Sequence, residues 1–145
     1  MPIKSGLICI ILIAVAIMAS IPGSASEKHE EQTAEHWSRQ GEELLRNGSY
    51  YAALESFNRS IHLDGGNATT WMRTGQALTG LGMYVEGLGA YNRSIELEPS
   101  LAEAWYLKGL LLNRMMMFNA SIEAFEKATD LQPAGALPWY NKGLA

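Results

Sequence analysis

The chain has 145 residues, 48% of them hydrophobic, and 15 acidic side chains against 11 basic ones leave a formal charge of −4. That length holds one small domain. Eleven cations scattered along an acidic chain form no basic stripe and argue against nucleic acid. The single cysteine, Cys9, leaves no disulfide framework and no thiolate metal site.

Residues 1–26 differ from the rest. Lys4 precedes an uncharged apolar run, residues 7–21, which gives way to Pro22, Gly23, Ser24, Ala25 and Ser26. A positive start, a short apolar stretch and small residues after it predict a secretory signal peptide or an uncleaved membrane anchor. The run is shorter than the roughly twenty residues that span a bilayer comfortably. Either reading places the remainder outside the cytoplasm, because Lys4 lies before the run while Glu27, Glu30 and Glu31 outnumber Lys28 after it. Residues 27–33 read as a polar linker ending in Thr33, a helix-capping residue type.

From there the chain repeats itself. Trp37, Trp71, Trp105 and Trp139 recur at one constant interval, and Gly41, Gly75, Gly109 and Gly143 follow them in the same register, one helical turn later. A fixed period of about 34 residues marks stacked copies of one small unit. The units are 34–67, 68–101 and 102–135, with the start of a fourth at 136–145. Aromatic residues recur late in each complete unit as Phe57, Tyr91 and Phe125. Apolar residues at three- and four-residue spacing predict helices over 34–47, 50–63, 68–81, 84–97, 102–115, 118–131 and 136–145. Gly48 and Gly82 fall between paired helices, where a left-handed backbone costs glycine nothing. Met116 takes that place in the third unit and predicts a strained or differently shaped turn. Ser100-x-x-Glu103 reads as a capping box, and Pro99 and Pro133 stop the helices before them. The glycines after the tryptophans let the paired helix approach closely. The tryptophans, as the largest apolar groups, are expected to be buried between helices and units.

This pattern resembles the tetratricopeptide repeat, a unit of about 34 residues that reads Trp-x2-Leu-Gly-x2-Tyr, then Ala-x3-Phe, then Pro. Here Ala53-x3-Phe57, Gly87-x3-Tyr91 and Ser121-x3-Phe125 supply the second part. The leucine position holds Gln40, Thr74, Lys108 and Lys142, and the tyrosine position Leu44, Leu78 and Leu112. The resemblance covers residues 34–145 and implies an all-α, right-handed α-solenoid whose concave groove holds a peptide or protein segment. It places Arg39, Arg46, Met72, Arg73, Gln76, Tyr106, Leu107 and Leu110 in that groove. The family's clamp for a C-terminal carboxylate uses Lys, Asn and Arg. At its positions stand Ser38, Glu42, Arg73, Glu103 and Leu107, so a chaperone-tail partner is not expected. A segment with an apolar anchor and a carboxylate fits better, with Arg73 and Tyr106 as its strongest contacts.

Nothing is arranged as nucleophile, base and orienting group, and His29, His36 and His62 lack metal-ligand spacing. No cofactor is expected. Of five Asn-x-Ser/Thr sequences, those at Asn47 and Asn67 fall at helix ends and are the candidate N-glycosylation acceptors. Met115, Met116 and Met117 read as apolar filler or as an adaptable contact surface. The chain is thus expected to be a non-enzymatic scaffold, or the interaction domain of a longer enzyme or transferase whose catalytic part lies beyond residue 145. Trp139, Tyr140 and Leu144, on an unpaired last helix, predict self-association through that end.

Overall fold

The computed structural model describes residues 33–132. The signal or anchor segment, Trp139, Gly143 and the seventh helix lie outside the described residues. Six helices follow one another: α1 (Ala34–Arg46), α2 (Tyr50–Leu63), α3 (Ala68–Gly80), α4 (Tyr84–Leu97), α5 (Ala102–Arg114) and α6 (Phe118–Leu131). There is no strand among the described residues, and none of their helices is long and apolar enough to cross a membrane. The most extensive contacts are within the pairs α1–α2, α3–α4 and α5–α6, followed by α2–α3 and α4–α5. The result is the expected right-handed α-solenoid. First helices also touch across units, α1 with α3 and α3 with α5, which puts them on the inner side of the curve.

Short turns set the pairing. Gly48 at φ 73° and Gly82 at φ 77° lie just past the ends of α1 and α3. Two backbone bonds close each turn, Gly48 N–H to Leu45 O and Ser49 N–H to Leu44 O in the first. That is a Schellman motif, which satisfies carbonyls the helix end leaves open. Met116 has the same left-handed geometry at φ 62°, and its turn closes through the same pair of bonds. The third turn is therefore strained rather than reshaped.

Helix starts vary more. The Thr33 hydroxyl accepts from His36 N–H at 3.1 Å, and the Asn67 side-chain oxygen accepts from Thr70 N–H at 3.0 Å. The predicted capping box at Ser100 does not form. Leu101, the counterpart of Asn67 one unit later, occupies the cap position without a side-chain bond. Glu103 is drawn away to Arg73 instead.

The buried centre also corrects the sequence reading. Trp37, Trp71 and Trp105 are only partly buried. The indole is amphipathic, and its N–H must find an acceptor. Trp71 donates to Gly65 O at 2.9 Å and Trp105 to Pro99 O at 3.0 Å, which holds each ring beside the loop leading into its unit. The Arg59 guanidinium lies 4.4 Å from the Trp37 ring centre. The largest fully enclosed side chains are instead Tyr91, Phe57, Met72 and Leu111. Met72, Tyr91, Ile95, Ala104 and Leu111 join units two and three, while Ala53, Phe57 and Ala77 join units one and two. Ser60 and Ser94 are buried without penalty because their hydroxyls donate to Ala34 O and Ala68 O, at 2.7 and 2.8 Å. Each bond ties the end of a second helix to the start of its own first helix.

Candidate functional site

The inner face is built from equivalent positions of α1, α3 and α5. One row reads Arg39, Arg73, Leu107 and the next Glu42, Gln76, Leu110. Successive units thus pass from charged to apolar. Two depressions lie along this face and meet at Gln76. The first, about 380 Å³, is lined by Glu42, Leu45, Arg46, Arg73 and Gln76. The second, about 160 Å³, lies between Gln76, Thr79, Leu107, Leu110 and Arg114, with Tyr91 and Leu111 beneath.

Of the expected groove residues, Arg46, Arg73, Gln76, Leu107 and Leu110 line these depressions. Met72 does not belong to the groove: it is 1% exposed and packs in the core. It precedes Arg73 by a single position, about 100° around the helix, and that rotation turns it from the groove into the joint between units. Tyr106 occupies the same repeat position, and its ring packs at 5.7 Å on Phe125 of its own unit. Arg39 is exposed and reaches back to Glu35 at 3.7 Å.

Arg73 is in the groove but is not free for a guest's carboxylate. Its guanidinium donates to Gln76 at 2.9 Å and to Glu103 at 3.0 Å, with Glu42 4.0 Å away on its other side. One arginine thus links carboxylates from the first helices of the units on either side, and with its side chain 26% exposed it acts as an internal strut. Two other arginines line the depressions. Arg46 makes no ion pair among the described residues, and Arg114 is held only loosely, its guanidinium 5.9 Å from the Tyr84 ring centre. The sequence reading missed Arg114 although it stands two units after Arg46, at the same repeat position. Leu45 and the Tyr91 floor were missed as well.

Beneath the second depression, burial pushes the Tyr91 phenol up to about 12, against a smaller lowering by its hydrogen bond with Thr79 and by the charge of Arg73. The floor is thus a neutral hydroxyl already engaged with a neighbour. The Thr79 hydroxyl in turn donates to Gly75 O at 2.8 Å. No group of His, Cys, Asp and Glu among the described residues is placed to hold a metal. Asn47 and Asn67 are both exposed, at the end of α1 and the start of α3.

A tetratricopeptide-repeat family model matches residues 102–134. A search of curated proteins finds no match. Among solved structures, the second TPR of Spaghetti (RPAP3), bound to HSP90 peptide SRMEEVD, is similar at 23% identity. That match has a TM-score of 0.67 and covers 75% of this chain and 100% of the other. The Sgt2 TPR domain from Aspergillus fumigatus aligns with TM-score 0.70 and 17% identity, over 77% of this chain and 74% of that one. MamA aligns with TM-score 0.67 and 21% identity over 72% of this chain, which spans 61% of MamA's length. The family's repeat is thus detected in the third unit, its helix pair is reproduced in the two before it, and the chain has the fold of the tetratricopeptide-repeat structures it is similar to.

Proposed function

We propose that the protein is a non-enzymatic scaffold that holds an extended peptide segment of another protein in the groove formed by α1, α3 and α5. The observation that carries this reading is a pair of depressions along the inner face of α1, α3 and α5 that share Gln76 in their lining. The peptide-bound Spaghetti domain, similar in fold, supports the same mode of use. Residues 1–26 add the second half of the proposal: they export the scaffold or anchor it in a membrane, with the repeats outside the cytoplasm. Self-association through the last helices belongs to the same proposal, supported by the exposed Phe118, Ile122 and Leu131 on α6.

A photo-crosslinking amino acid replacing Leu110, 43% exposed in the groove, tests the binding mode in cells. A second probe replaces Val85, 73% exposed at the start of α4. Discrete adducts from position 110 and none from position 85 are expected. The reverse pattern would move binding to another face. Fractionation of the same cells checks location, and full-length chain in the soluble cytosol would remove the export claim.

A further inference from the structure

The groove carries more information than its shape. Five charged side chains stand along it: Glu42, Arg46, Arg73, Glu103 and Arg114. Both carboxylates are used on Arg73, which leaves Arg46 and Arg114 as cations near opposite ends of an otherwise acidic chain. Arg114 is exposed and rims the smaller depression, where Leu107 and Leu110 form the apolar wall. That depression has room for a single apolar side chain. Tyr91 and Leu111, 2% exposed each and enclosed by the core, close its floor.

We infer that the groove selects acidic segments in which one apolar side chain enters the depression between units two and three and a neighbouring carboxylate pairs with Arg114. This rests on the groove reading above and adds the chemistry of the guest. Three features combine to select it. The Tyr91 and Thr79 hydroxyls are occupied by each other and by Gly75 O, so the floor offers no free donor that a polar side chain would need. The wall is apolar. The cation at the rim lacks a carboxylate partner among the described residues, and a bond from a guanidinium to a carboxylate is stronger than a neutral one. Arg46, beyond Gln76, extends the preference for acid toward unit one. A basic segment meets repulsion at both ends of the groove and finds its two carboxylates already engaged.

The test is a random peptide library displayed on phage and panned against the full chain, its Arg114→Glu variant and its Leu110→Asp variant. Both substituted residues are exposed, and circular dichroism confirms that each variant folds. Wild type is expected to enrich one large apolar residue with Asp or Glu close by. Arg114→Glu should keep the apolar residue and replace the acid by Lys or Arg; Leu110→Asp should lose the apolar preference. A resynthesised wild-type winner should bind Arg114→Glu about tenfold more weakly or worse. Winners rich in Lys or Arg, or carrying no acid, and bound in a groove-dependent manner, would overturn this inference while leaving the groove reading intact. Winners whose binding neither variant alters, or a selection yielding no winner, would overturn both.

Discussion

A methyl group on Gly75 would stand 2.7 Å from the edge of the Tyr91 ring, and one on Gly41 or Gly109 closer still to Phe57 or Phe125. These glycines are spaces reserved for a ring from the paired helix. Gly75→Ala is therefore expected to cost about 1–3 kcal/mol, the usual penalty for forcing volume into a packed core. Thermal melting checks it, and an unchanged midpoint would show that the Tyr91 ring yields freely. Tyr91 has a second consequence. Its phenol is neutral to about pH 12 in the folded protein but titrates near 10 when unfolded. A pKa raised on folding contributes stability that is present below pH 10 and lost as pH rises through 12. About 2–3 kcal/mol should disappear over that window. Tyr91→Phe, with the ring already found at Phe57 and Phe125, should fold and show a shallower alkaline decline. Denaturant titrations of both proteins at pH 9 and pH 11.5 measure the difference, and parallel declines would rule the buried phenol out as its source.

At the scale of helices and turns, the left-handed residue after α5 is the exposed flaw. Met116 bears the steric cost of a conformation that Gly48 and Gly82 adopt freely. Its side chain is 78% exposed and contributes little packing in return. Met116→Gly should stabilise by about 0.5–1 kcal/mol, the strain relieved less the greater chain entropy of glycine. A lower melting temperature would mean that the methionine makes a contact worth more than the strain. The same elements show how far the sequence could be read. Helix bounds and turns were legible because a strict repeat period and punctuating glycines state them locally. The groove was legible only in part. Whether Met72 or Arg73 faces the open side depends on where the neighbouring unit packs, and a shift of a single position reverses the answer. Pairing was less legible still, since the partner of Arg73, Glu103, lies 30 residues away and looks in the sequence like half of a capping box.

Across the whole stack, the two ends differ. Where α3 turns Ala77 and α5 turns Leu111 into the preceding unit, α1 has Glu43 at the equivalent position. The first unit thus presents a polar, exposed residue at this position, while Phe118 and Ile122 on α6 are exposed apolar groups. The middle unit alone contributes to both core clusters, through Ala77 to one and through Met72, Tyr91 and Ile95 to the other. In a stack held by contacts between neighbours, local stability follows the number of interfaces a unit shares. Amide hydrogen exchange should therefore be slowest in α3 and α4, intermediate in α1 and α2, and fastest in α6. Weakening one joint should divide the response: Leu111→Ala empties the cluster between units two and three and costs about 2–5 kcal/mol. Protection should then collapse in α5 and α6 before it does in α1 and α2. Equal loss of protection in all six helices would show instead that three units unfold as one cooperative block, with no step between them at which the groove could open locally for its guest.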